Sequence, residues 1–158
     1  YPTYFGSEPI LVQPSCSELE LDHQLCFALY STSLMMTKVY KPLLKKLGLT
    51  YPQYLAMLVL WQNDGITVGT MSKRLLTDPG SLTPLLKRLE ADQLLNRKRS
   101  HEDERVVQLY LTEKGKALRE QACHVPSCVV HASEQSIEAL TTLKEDLVRL
   151  RDSLQKNQ

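Results

Sequence analysis

Apolar residues recur at steps of three and four from Val68 to Leu76 and again from about Ser81 to Leu94, the period of helices with one buried face. In the second run, Leu82, Leu85, Leu86 and Leu89 share one face, whereas Thr83, Lys87 and Arg88 fall largely on another. One face is suited to pack and the other to enter a groove. Asp78, Ser81 and Thr83 all have N-cap chemistry, with Pro79 or Pro84 fit for a first turn, so the start of this helix stays open over several residues. After Leu95 the period changes to alternation. Val106 to Leu111 carries β-branched and aromatic residues, and His101-Glu102-Asp103-Glu104 separates the two runs as a charged, exposed loop.

The flanks read as helices. Residues 1–17, with Pro2, Pro9 and Pro14 and little periodicity, read as a flexible arm. A long helix is expected from about Glu18, with Pro42 imposing a kink or a break. Thr50 and Gln53 have the spacing of a capping box, with Pro52 in the first turn, and the apolar helix that they open should end near Asn63, before Gly65. Thr112 can cap a further helix, interrupted around Pro126, and Ser136 can cap the last. That last helix carries Leu140, Leu143, Leu147, Leu150 and Leu154 at steps of 3, 4, 3 and 4. Such a stripe either docks on its own domain or forms a seam with a second copy.

Two helices followed by a basic hairpin is the order of a winged helix-turn-helix, which points to duplex DNA. The expected fold is mainly α with a small β-hairpin wing. A winged helix-turn-helix at 50–112 lies between an N-terminal dimerisation region at 18–49 and C-terminal dimerisation helices at 113–158. Charge supports the assignment. From Lys73 to Arg99 seven Lys or Arg face three acids, whereas residues 1–26 carry four acids and no Lys or Arg, although the formal net charge is only +1. Ser81, Thr83, Lys87 and Arg88 on the helix, and Arg99, Asp103 and Arg105 on the hairpin, are the expected DNA-binding residues. A two-fold dimer would set two such helices about 34 Å apart, one turn of a pseudo-palindromic operator.

At 158 residues and 42% hydrophobic content the chain can bury one sizeable core. No apolar stretch approaches the roughly 18 residues of a membrane span, so no membrane partner and a cytoplasmic location are expected. There Cys16, Cys26, Cys123 and Cys128 would stay reduced, and a disulfide would be a signal rather than a staple.

The segment Asp103-Glu104-Arg105-Val106-Val107-Gln108-Leu109-Tyr110-Leu111-Thr112, following Leu82 to Glu90, resembles the wing of the multiple-antibiotic-resistance regulator (MarR) family. Leu25-Cys26-Phe27-Ala28-Leu29-Tyr30-Ser31, Lys41-Pro42-Leu43-Leu44 and Leu49-Thr50-Tyr51-Pro52-Gln53-Tyr54 narrow the likeness to its two-cysteine organic hydroperoxide sensors. The resemblance implies a homodimeric repressor that binds operator DNA when reduced and needs no cofactor. Organic hydroperoxides would be its inducers, and an organic hydroperoxide reductase gene its target. It implies a redox-reactive Cys26, with Tyr30, Tyr40 and Tyr51 stabilising the thiolate. It also implies a resolving cysteine on the other subunit, Cys128 or alternatively Cys123. Phenolic hydroxyls donating to sulfur favour its charged form, the form that peroxides oxidise.

Other readings are weaker. Cys128 and His131 are three apart and could face one cation, yet the run Cys123 to His131 has no zinc-binding spacing. A ligand-responsive repressor without redox chemistry is a further alternative. A thiol peroxidase could use the same first step, but the DNA-reading elements and the lack of a Cys-x-x-Cys in a βαβ context oppose it. A helical dimerisation adaptor would have no affinity for duplex DNA.

Overall fold

The computed structural model describes the backbone of Thr3–Tyr4, Pro9–Ile10 and Cys16–Gln158, with side chains from Glu18 onward. The rest of the expected arm, and the side chain of Cys16, lie outside the described residues. The chain divides into two compact units, Tyr1–Thr37 and Lys38–Gln158.

In the first unit β1 (Thr3–Tyr4) and β2 (Pro9–Ile10) pair antiparallel. Two short 3-10 turns follow, Cys16–Leu19 and Leu21–His23, and helix α1 (Leu25–Lys45) begins only after them. The expected start at Glu18 is therefore corrected. The Gln24 side-chain amide donates to the carbonyls of Glu18 (2.6 Å) and Glu20 (3.0 Å), acceptors that a continuous helix would use for its own ladder. Gln24 itself is extended, which resets the chain before Leu25. Pro42 does not break α1, which runs on to Lys45.

The second unit is built round one leucine-rich core. Past α1, Gly48 at φ +69 turns the chain, and Leu49 N bonds back to Leu44 O at 3.1 Å. Helix α2 (Tyr51–Gln62) opens on the expected capping box. Gln53 Oε1 accepts from Thr50 N, and Thr50 Oγ1 accepts from Gln53 N. Helix α3 (Val68–Leu75) stops one residue short of expectation because Leu76 turns left-handed at φ 54. Helix α4 runs over Pro79–Ala91, not Ser81 to Leu94. Asp78 wins the competition to cap it, with Pro79 in the first turn, and Gln93 at φ 60 prevents continuation to Leu94.

Strands β3 (Leu95–Arg99) and β4 (Val107–Leu111) pair antiparallel, Leu95 opposite Leu111 and Arg99 opposite Val107. The α2–α3 connection joins their edge through Gly65 N to Leu109 O (2.9 Å) and Leu109 N to Ile66 O (2.8 Å). Met57, Leu60, Met71, Leu86, Leu89, Leu95 and Leu109 are fully buried where α2, α3, α4 and the hairpin meet. Helix α5 (Glu113–Ala122) is capped by Thr112 and α7 (Ile137–Lys156) by Ser136, both as expected. Between them α6 (Val125–Ser133) carries Pro126 in its own first turn, so the interruption falls just before that proline. Helix α5 packs tightly on the turn before β3. A Cβ added to Gly115 would stand 2.1 Å from Leu94 O, and Trp61 Nε1 donates to Gly115 O at 2.9 Å.

No residue of α7 is buried, and Leu143, Leu147 and Leu154 are exposed. Leu140 and Leu150 of the same stripe are half-buried. Among the described residues no helix is long and apolar enough to cross a membrane.

Candidate nucleic-acid interface and sensor cysteine

The elements expected to meet DNA are α4 and the β3–β4 hairpin. Leu82, Leu86 and Leu89 hold the inner face of α4, which leaves Thr83, Lys87 and Arg88 exposed as the sequence predicts. The Asp78 carboxylate accepts from Ser81 N (2.9 Å) and Ser81 Oγ (2.6 Å). The hydroxyl bond first, then the amide bond, hold its acid below the usual carboxylate value. Ser81 is thus engaged in the cap. Thr83 Oγ1 donates to Pro79 O at 3.3 Å, and Arg88 lies 3.5 Å from Asp92. Among the described residues, no acid pairs with Lys87.

At the tip of the wing, Asp103 Oδ1 accepts from Arg105 N at 3.0 Å, shaping the turn that displays the exposed Arg105 side chain. Arg99 Nη1 donates to Glu104 O at 3.1 Å, and Lys98 stands 5.4 Å from the centre of the Tyr110 ring. The basic run is therefore not uniformly free. Arg97 is bound to Glu90 by a 2.9 Å ion pair, a partnership that the charge count could not reveal.

Cys26 is exposed and stands second in α1, with the exposed Tyr30 one turn later. Both belong to the first unit. Tyr40 and Tyr51 belong to the second, where their ring centres are 4.9 Å apart and Tyr54 lies 5.9 Å from Tyr40. Burial first, then the neighbouring phenols Tyr51 and Tyr54, push the Tyr40 hydroxyl above its ordinary value, so it stays protonated as a donor at neutral pH. Tyr54 and Trp61 extend this cluster at 6.5 Å and were not singled out from the sequence. Tyr54 stands three residues after Tyr51 in α2, a helical spacing that could have flagged it.

Cys123 is exposed at the end of α5, its thiol donating to Arg119 O at 3.3 Å, and Cys128 is half-buried on α6. Both are free thiols. Among the described residues, no group of three or more His, Cys, Asp or Glu side chains could hold a metal ion.

Residues 38–121 match the family described as transcriptional regulator SarA/Rot. The chain is 51% identical over 140 residues to the organic hydroperoxide resistance transcriptional regulator of Bacillus subtilis, across 88% of this chain and 95% of that protein. The chain belongs to the organic hydroperoxide resistance regulators of the MarR family. AbfR of Staphylococcus epidermidis, solved reduced and bound to DNA, matches this regulator with a TM-score of 0.73 at 30% identity, over 87% of this chain and 96% of that one. The disulfide-formed AbfR scores 0.58 at the same 30% identity, over 89% and 93% of the two chains. This regulator is a DNA-binding winged-helix transcription factor. Its β3–β4 hairpin is the wing, and α4 takes the place that the recognition helix has in this fold.

Proposed function

We propose that the protein is a peroxide-sensing transcriptional repressor that binds a pseudo-palindromic operator as a reduced homodimer and leaves it when organic hydroperoxides oxidise Cys26. The observation that carries this reading is the exposed Cys26 in the first turn of α1, attached to a winged-helix reading head. The Cys26 thiolate attacks the terminal oxygen of the hydroperoxide, the O–O bond breaks, and the alkoxide leaves and takes up a proton as the alcohol. Cysteine sulfenic acid results. A second thiol then displaces hydroxide, giving a disulfide and water.

Tyr30, Tyr40 and Tyr51 stabilise the thiolate in the dimer by donating hydrogen bonds to it. Cys128 of the partner subunit is the resolving thiol, with Cys123 the alternative. Closing that bridge requires the two Cα atoms to come within about 7 Å. The helices must then shift, and the two reading heads lose the spacing that fits successive major-groove turns. The lower score of the disulfide-formed AbfR at equal identity supports a rearranged oxidised state. DNA is met by Thr83, Lys87 and Arg88 on the recognition helix and by Arg99 and Arg105 on the wing, with Ser81 and Asp103 shaping the two approaches.

A peroxide titration of operator binding, run beside a non-reducing gel, tests the scheme. Cys26→Ser should bind DNA normally and stay bound after organic hydroperoxide. The dimer-mass band should be lost in Cys26→Ser and Cys128→Ser and collapse with dithiothreitol. Tyr40→Phe should slow release more than it weakens binding. Release of Cys26→Ser at the wild-type dose would remove Cys26 as the sensor. Retention of the band in Cys128→Ser and its loss in Cys123→Ser would move the resolving role to Cys123.

A further inference from the structure

We propose that Glu90 is a positioning residue for DNA reading, which clasps Arg97 and thereby sets the wing at the distance from the recognition helix at which both meet one duplex. The inference rests on the DNA-binding reading and goes beyond it, because neither residue is assigned to the interface itself. Glu90 stands one residue before the end of α4, where the last helical carbonyls present negative potential and a carboxylate is disfavoured. A residue that breaks a local rule needs a compensating role.

Glu90 finds its compensation in Arg97, seven residues on. Its carboxylate accepts from Arg97 N at 2.8 Å, from Nε at 3.1 Å and from Nη2 at 2.9 Å. Three bonds from one residue, two of them from the planar guanidinium fork, fix orientation as well as distance. Both side chains are about two-thirds shielded from solvent, at 35% and 29% exposure. Solvent competes for the pair less than for a surface bridge.

The clasp ties the C-terminal end of α4 to the middle of the wing, since Arg97 lies on β3 opposite Leu109 of β4. Leu86 and Leu89 of α4 share the buried core with Leu95 and Leu109 of the hairpin, and beyond that core the two reading elements part. Thr83 and Leu86 of α4 face Arg97, Arg105, Val106 and Val107 across an open cleft of about 410 Å³. Core packing fixes the spacing at the root of the wing, and the clasp carries that hold outward to Arg97, the middle residue of β3, at the edge of the cleft. Arg97 accordingly serves as a strut and not as a phosphate contact, although it sits in the basic run.

The test is a double-mutant cycle on the reduced full-length protein, with a duplex selected by the wild type from a random-sequence pool. Glu90→Gln preserves shape and removes the charge. It should weaken binding about tenfold, and Arg97→Lys, which loses the fork, should do the same. Because the clasp acts through the wing, Glu90→Gln should cost almost nothing further in an Arg105→Ala background. Glu90→Asp, one methylene shorter, gives the same comparison should Glu90→Gln not fold, as judged by circular dichroism.

Wild-type affinity in Glu90→Gln and Arg97→Lys would overturn the proposal, as would losses that multiply in full with Arg105→Ala. So would a salt slope lowered by about one in Arg97→Met, the mark of a phosphate contact. A wild type that selected no duplex would instead defeat the DNA-binding reading, and the clasp with it.

Discussion

A single methyl group at position 115 would stand 2.1 Å from the carbonyl oxygen of Leu94, against backbone that cannot swing aside as a side chain can. Gly115→Ala should therefore destabilise the protein by about 1–3 kcal/mol, read as a lower urea midpoint at unchanged slope. Glu90 supplies a second prediction at this scale. Bonds from the Arg97 backbone and then its side chain hold the Glu90 carboxyl below its ordinary value of 4.5. Its folded value lies below its unfolded one, so the stabilisation is present above the ordinary value and is lost as pH falls through the folded value. Acidification below about pH 4.5 should cost the wild type more stability than Glu90→Gln, measured as urea midpoints from pH 6 to pH 3. Equal sensitivities in the two proteins would show that Glu90 is unpaired in solution.

At the scale of elements, the wing is a hairpin whose exposed tip is shaped by Asp103 and carries Arg105. Arg105→Ala should weaken operator binding across sequences and flatten its salt dependence, with α4 and the fold intact by circular dichroism. Equal affinity at every salt concentration would take Arg105 off the interface. Periodicity made α2, α3, α4 and the hairpin legible in the sequence, because each has one face committed to a shared core. The caps at Thr50, Thr112 and Ser136 were legible because a side-chain oxygen and an amide three residues on form a local bond. The start of α1 was not, because Gln24 captures carbonyls of Glu18 and Glu20 through a side-chain contact that no apolar period encodes. The end of α4 was hidden similarly, since a left-handed Gln93 is a backbone choice made to seat Leu94 and Leu95 in the core. Within the candidate site, exposure of Thr83, Lys87 and Arg88 followed from the helix face. The pairing of Arg97 with Glu90 depended on a turn whose path the sequence does not display.

For the whole molecule, the helices beyond the reading head pose the main energetic question. The stripe of α7 has Leu143 and Leu154 more than half exposed, at 52% and 58%. Leu147→Asp should accordingly leave the core of the second unit folded, yet give monomers in sedimentation and lose tight operator binding. A Leu147→Asp protein that sedimented as a dimer would show that the seam lies elsewhere. A twenty-residue helix with no buried residue has little intrinsic stability in water. If a second copy covers it, folding and assembly become one equilibrium, and the melting temperature should climb with protein concentration. Operator occupancy would then vary with the square of the free protomer concentration while monomers predominate. A modest fall in the amount of protein would empty the operator out of proportion, with no oxidant present.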